Sequence, residues 1–304
     1  MATHRFEATR WYNTIGSHPP EFRVQSGDTI VTETIDAASF DKNGVQRFQS
    51  PNPMNGPIFI EGAEPGDALK VTIDAMRPIR ATGWTWTPLS ALVVDPEAVR
   101  DLPPRKQVTW NIDRNALTAQ LAEPVAGLQS FVLPLEPMIG CFGVAPKLGQ
   151  AISTATSGEH GGNMDYRLFG PGTTAWFPVA VEGALFHLGD CHATQGDGEI
   201  VGTGIETCFE VTCTVTVEKK RPIIWPRGET AEDIFAVGNA RPLDQALQHA
   251  TTEMLAWLGQ DFGLDKVAAS HLLGQVVRYD VGNVFDPAYT VGCRVAKKWL
   301  PARA

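Results

Sequence analysis

Most of the side chains able to do chemistry fall between Gly158 and Glu206. The stretch opens on G-E-H-G-G-N-M-D-Y-R, passes through P-V-A-V-E-G-A-L-F-H, and closes on L-G-D-C-H-A-T-Q-G-D-G-E-I-V-G-T-G-I-E. It holds His160, His187 and His192, interleaved with Glu159, Asp165, Asp190, Asp197, Glu199, Glu206 and many glycines. In an extended Asp190-Cys191-His192, residues i and i+2 share a face about 6–7 Å apart at Cα, so carboxylate and imidazole converge on one ion. Asp197-Gly198-Glu199 offers the same spacing once Gly196 lets the chain turn. The run His160 to Asp165 supplies a third arm, its glycines letting the backbone pass close to a ligand. Mixed imidazole and carboxylate donors with no required thiolate suit zinc in an open hydrolytic site, or a harder cation at the oxygen-rich end.

Plainer readings stand beside these. His187 lies in an apolar run (Leu185, Phe186, Leu188) and reads as a buried, satisfied side chain. Cys191 points opposite to Asp190 and His192, hence into the core. Arg167 pairs with a nearby carboxylate. His4, His18, His249 and His271 belong to no cluster. Asp28 and Asp67 follow glycines and read as turn residues bonding their own backbone. Glu33 and Asp36 are either solvated edge charges or a distant contribution to the site.

The elements that must position these groups are mainly strands. Short β-branched runs punctuated by Gly and Pro cover Asp28 to Thr34, Ala68 to Ala75, Leu92 to Asp95, Lys106 to Ile112 and Glu210 to Val217. The last, E-V-T-C-T-V-T-V, alternates with the period of a half-buried strand. The fold expected is mainly β, a β-sandwich or barrel-like body with a small late α-helical layer. Leu243, Leu247, Ala250, Met254, Leu258 and Phe262 repeat on one helical face, with Pro242 at the start and Gly263 at the stop. A second helix is expected from Asp265, its inner face carrying Val267, His271, Leu272 and Gln275. The chain reads as a single unit over 1–304; a division into an N-terminal β subdomain, 1–130, and a C-terminal catalytic α+β subdomain, 131–304, stays open.

With 304 residues, 43% of them hydrophobic, the chain buries a core without disulfide or metal. Its 25 Lys+Arg against 34 Asp+Glu give −9, which disfavours nucleic acid and anionic membranes as partners. Five cysteines without C-x-x-C spacing argue against a disulfide framework and against a four-cysteine zinc site. No apolar leader or membrane-length apolar run is visible, so a cytoplasmic location is expected.

His160 to Asp165 (H-G-G-N-M-D), then Gly189 to Ile200 (G-D-x-H-A-x-Q-G-D-G-E-I), then Gly202 to Glu206 (G-x-x-I-E) together resemble the acetamidase/formamidase family. Asn52 to Asp67, opening N-P-x-x-G-P, and Pro137 to Pro146, P-x-I-G-x-x-G-x-A-P, extend the resemblance over most of the chain. It implies a mainly β, cytoplasmic, homo-oligomeric (dimeric) amidohydrolase that cleaves short-chain amides to carboxylate and ammonia with metal in the site. The Gly83–Thr87 and Asp36–Phe48 stretches look individual and could shape a pocket, and Trp84, Trp86 and Phe142 hint at a small aromatic-walled pocket.

Within that resemblance Asp165, Asp190 and His192 are expected as metal ligands, and Glu199 as a further ligand or the general base. Asn163, with the Gly161 and Gly162 N–H groups, is expected to stabilise the oxyanion. His160 is read as a ligand or acid, and Glu206 and Asp197 as support. The expected metal is divalent, zinc first, with calcium as a candidate second cation. Two other readings compete: a thiol amidase using Cys191, and a non-catalytic, metal-stabilised β-sandwich binding protein.

Overall fold

The computed structural model describes residues 1–303. Its body is two antiparallel-dominated sheets sharing one core. The larger has nine strands in the order Thr3–Phe6, Thr29–Glu33, Phe209–Glu218, Ala68–Pro78, Thr174–Pro178, Arg227–Glu229, Asp233–Ala240, Tyr289–Ala296, Arg278–Asn283. The second has six: Ser157–Gly158, Gly161–Asn163, Met138–Val144, Phe186–His192, Met54–Glu61, Phe22–Gln25. Both take strands from either side of residue 130. Alternate residues of each sheet meet between them: Phe142 and Phe186 from the six-stranded sheet lie in one cluster with Ile73, Val211, Phe177 and Phe235 from the nine-stranded one. Phe142 and Phe177 touch edge to face at 5.0 Å across the layers. The result is sandwich-like; among the described residues neither sheet closes into a barrel. A four-stranded sheet, Thr82–Thr87, Lys106–Asp113, Thr118–Leu121 and Val132–Pro134, stands beside this body.

Phe209–Glu218 alternates as its sequence demands, Phe209, Val211, Cys213 and Val215 buried and the threonines between them half-buried. Lys106–Asp113, Thr29–Glu33 and Ala68–Pro78 also fall where expected. Leu92 to Asp95 does not: it forms turns, with Leu92 exposed. Asp28 and Asp67 cap their turns by accepting from Gln25 N (3.1 Å) and Glu64 N (2.9 Å).

The helical layer is Leu243–Phe262 and Lys266–Val276, the first laid on strands Asp233–Ala240 and Tyr289–Ala296. Gly263 ends the first helix in the left-handed region at φ 64°, and the Asp265 side chain caps the second by accepting from Ala268 N at 2.8 Å. Two expected inner faces are rotated. Leu243 and Leu247 are partly exposed, because the first helix meets the sheet along Ala246, Ala250 and Met254. At the contact a Cβ on Gly238 would run into the Ala246 carbonyl and the Ala250 nitrogen, so backbone packs on backbone and the leucines are pushed to the flank. In the second helix Ala269 and Leu273 face inward, whereas Val267, His271 and Gln275 are exposed and Leu272 is half-buried. No described helix is long and apolar enough to cross a membrane.

Candidate metal centre

Strand Met138–Val144 lies between Gly161–Asn163 and Phe186–His192 and forms the floor of the site. The Gly140 carbonyl accepts from the N–H groups of Met164 and Asp165, both at 3.1 Å, which draws the Asp165 turn over the strand. A Cβ on Gly140 would stand 2.5 Å from Asp165 Oδ1 and 3.1 Å from Asp190 Oδ2. Only glycine leaves room for both carboxylates there. The side chains converge through strained backbone: Asp165 (φ 43°), Asp190 (53°), Glu199 (47°) and Asn52 (43°) all adopt the left-handed region. That region costs a non-glycine residue about 1–2 kcal/mol and clusters at functional sites.

His192 is the hub. Its Nε2 lies 3.5 Å from Asp190 Oδ1 and 3.0 Å from Glu206 Oε1. Two sets of potential ligands share it: Asp165, His192 and Glu199, and Asp190, His192 and Glu206, each set offering atoms within 4.8 Å of one another. Glu206 arrives from a segment that bridges to His192 and exchanges backbone hydrogen bonds with Trp84 at 3.1 and 2.9 Å. All five residues are buried, from 0% exposure at Asp165 and His192 to 6% at Glu199. Asp165 Oδ1, Asp190 Oδ1, His192 Nε2 and Glu206 Oε2 are nevertheless without hydrogen-bond partners. An unsatisfied buried polar atom costs about 1–3 kcal/mol, more when charged, and a cation bound by either His192 group could offset that cost.

The opposite atoms of these ligands are well held. Asn52 Nδ2 donates to Asp190 Oδ2 at 3.0 Å and Asn283 Nδ2 to Asp165 Oδ2 at 2.9 Å and Glu199 Oε2 at 2.6 Å. Gln195 Oε1 meets His192 Nδ1 at 2.8 Å. Asn163 bridges two neighbours, accepting from Asn52 at 3.0 Å and donating to Asp286 Oδ2 at 2.5 Å. Among the described residues no lysine or arginine pairs with Asp165, Asp190, Glu199, Glu206 or Asp286.

Electrostatics follow from that crowding. Burial, then the charge of Asp190, pushes Asp165 well above the carboxylate range, and burial with Asp165 does the same to Glu199. Burial raises Glu206 to about 7 and Asp286 to about 6. Burial alone would lower His192, but Glu206 and Asp190 override it and raise the imidazole well above its usual value. Each His192 group combines one imidazole with two carboxylates and could hold a cation, its mixed N/O chemistry suiting a divalent metal.

Asp165, Asp190, His192 and Glu199 are thus brought together, and Glu206, expected only as support, joins them. Asp197 is not part of the site. The Asp197–Glu199 segment is a tight turn rather than an extended pair, so Asp197 points outward and pairs with Arg167 at 2.6 Å. His160 belongs to neither ligand set; it lines a separate, mostly apolar pocket of about 530 Å³ with Ile152, Pro178 and Ile223. Burial depresses it to about 4, and His187, fully buried with Nε2 on Gly16 O at 3.3 Å, to about 3. Cys191 turns into the core beside Ile139, and burial pushes its thiol far above the usual range, away from thiolate chemistry. Phe142 is core, not pocket wall. Glu33 forms exposed ion pairs with Arg5 and Lys42, whereas Asp36 is buried against Arg80 (2.6 Å) and Trp84 Nε1 (3.2 Å).

Asn52, Gln195, Asn283 and Asp286 had not been singled out. Asn52 and Gln195 stand inside the motifs N-P-x-x-G-P and G-D-x-H-A-x-Q and were readable there. Asn283 and Asp286 follow the helical layer, and only the N-x-x-D spacing after a strand marked them.

The model of the acetamidase/formamidase family matches residues 147–247. The acetamidase of Mycolicibacterium smegmatis is 30% identical over 81% of this chain and 69% of its own length. The crystal structure of an acetamidase from Yersinia enterocolitica superposes with a TM-score of 0.86 at 33% identity, covering 98% of this chain and 93% of that one. An acetamidase from Bacillus halodurans gives 0.83 at 30% identity, covering 97% and 98%. The likeness thus extends well beyond the matched segment, over the sheets that build the site, and the chain belongs to the acetamidase/formamidase family of amidohydrolases.

Proposed function

We propose that this amidohydrolase cleaves short-chain amides of the formamide and acetamide type at a divalent cation held by Asp165, Asp190, His192 and Glu206, zinc before calcium. The observation that carries the reading is the two buried groups that share His192, Asp165 with Glu199 and Asp190 with Glu206, together with the unpartnered polar atoms on four of those five residues. A cation there supplies Lewis acidity, drawing electron density from the amide carbonyl and making water a stronger acid.

The chain's own residues do the rest. Glu199, its Oε2 held by Asn283, takes the proton of the attacking water and delivers it to the amide nitrogen. The water oxygen joins the carbonyl carbon, the C–N bond breaks, and ammonia leaves rather than an amide anion. Asn163 commits one amide hydrogen to Asp286 and keeps the other for the developing oxyanion. The same reading takes 1–304 as one unit and the protein as a cytoplasmic homo-oligomer, which light scattering on the purified chain measures.

The test is ammonia release from formamide, acetamide and propionamide, with chelator and after return of zinc or calcium. Release that chelation abolishes and metal restores supports the proposal. Release indifferent to chelation, from protein shown to be metal-free, removes the cation from it.

A further inference from the structure

Gln195, Asn283 and Asn52 come from three different segments and treat the ligands alike. Gln195 Nε2 donates to the Asp165 carbonyl at 2.6 Å and faces the Gly282 carbonyl at 3.4 Å, so the amide nitrogen must lie on that side. Its Oε1 is thereby turned to His192 Nδ1 at 2.8 Å. An amide oxygen only accepts, so Nδ1 carries a hydrogen and Nε2 is the ring nitrogen that faces Asp190 and Glu206. Asn283 is fixed the same way: its Oδ1 accepts from the N–H groups of Phe285 (2.8 Å) and Asp286 (2.9 Å), turning Nδ2 toward Asp165 Oδ2, Glu199 Oε2 and, at 3.1 Å, Asp286 Oδ2. Asn52 Nδ2 lies against the Thr154 carbonyl at 3.2 Å, Asn163 Oδ1 at 3.0 Å and Asp190 Oδ2 at 3.0 Å. The atoms left over, Asp165 Oδ1, Asp190 Oδ1 and His192 Nε2, are among those without partners.

We infer that Asn52, Gln195 and Asn283 are positioning residues for the cation: each occupies one polar atom of a ligand and so aims the other into the shared space. The inference rests on the metal reading above and deepens it. A carboxamide suits the task because it can donate to a carboxylate, as Asn52 and Asn283 do, or accept from an imidazole N–H, as Gln195 does, without bringing positive charge. A lysine or arginine at the same place would neutralise the carboxylates and compete with the metal. Hydrogen-bond partners behind metal ligands are typically worth ten- to a hundredfold in affinity.

The experiment measures zinc affinity by competition with a chromophoric chelator for the wild-type protein, Gln195→Leu, Gln195→Glu and Asn52→Ala, with the melting temperature of each metal-free form alongside. Gln195→Leu removes the acceptor for Nδ1–H and is expected to bind zinc about ten- to a hundredfold more weakly. Gln195→Glu keeps an accepting oxygen and is expected to stay within about threefold of wild type. A merely structural role predicts the reverse order, since glutamate sets an oxygen against two backbone carbonyls where glutamine sets an N–H. Asn52→Ala frees Asp190 Oδ2 on the half-buried rim and is expected to weaken zinc about tenfold, a reading that stands even if Gln195→Leu fails to fold. Equal affinities for wild type and Asn52→Ala, or Gln195→Glu as weak as Gln195→Leu, overturn the inference while leaving the metal reading intact. A wild-type protein that takes up no divalent cation overturns both.

Discussion

His192 joins the two ligand sets, and its replacement separates the readings of this site. His192→Ala is expected to purify with little zinc and to release ammonia more than about a hundredfold more slowly, measured by metal analysis and an ammonia assay on one preparation. Cys191→Ser should change neither, because its sulfur is buried on the other face of the strand and its proton is held too tightly to leave at neutral pH. Gly140 makes a third point at this scale. Alanine there places a methyl against Asp165 Oδ1, so Gly140→Ala should lose about 1–3 kcal/mol of stability by chemical denaturation and bind metal poorly even where it folds.

At the scale of elements, the site is a meeting of turns held by strands. Local pattern revealed the arms: alternation marked Phe209–Glu218, and glycine-laced carboxylates marked Asp165, Asp190 and Glu199. It did not reveal how the arms are closed. Asn283 and Asp286 reach the site because Arg278–Asn283 is the edge strand of the nine-stranded sheet, and strand order is a non-local property that no window of sequence carries. The assumed extended geometry at Asp197–Glu199 failed because the strained φ of Glu199 turns its side chain in while Asp197 faces out. Periodicity found the helix Leu243–Phe262 but misjudged its contact line, which the bare backbone of Gly238 sets. That helix is tied down by Glu253, whose Oε1 accepts from Arg227 Nε at 2.6 Å with both side chains buried. Glu253→Ala leaves a buried guanidinium short of its charge partner and is expected to cost about 3–5 kcal/mol in denaturant melts.

For the whole molecule, charge and pH couple to stability through buried histidines outside the two His192 groups as well as through the carboxylates within and beside them. His160 and His187 are buried neutral, at about 4 and about 3 against an ordinary 6.5. The unfolded chain therefore binds more protons than the folded one as pH falls below 6.5. Stability is full above that value, drops between it and the folded values, and levels off below them. For His160 the loss amounts to about 3 kcal/mol. With zinc bound, melting temperatures from pH 7 to pH 4 should fall more steeply in the wild type than in His160→Gln. The carboxylates work in the opposite sense when no cation neutralises them. With Glu206 at about 7 and Asp286 at about 6, the metal-free fold is favoured at low pH and loses stability as pH rises from the ordinary carboxylate range through those values. The most direct measurement is therefore the melting temperature of zinc-loaded and chelator-stripped protein at pH 8, with ammonia release from acetamide followed on both. The account predicts that stripping lowers the melting temperature and abolishes release, and that zinc restores both. Stripped protein that melts and hydrolyses like the loaded form would contradict it.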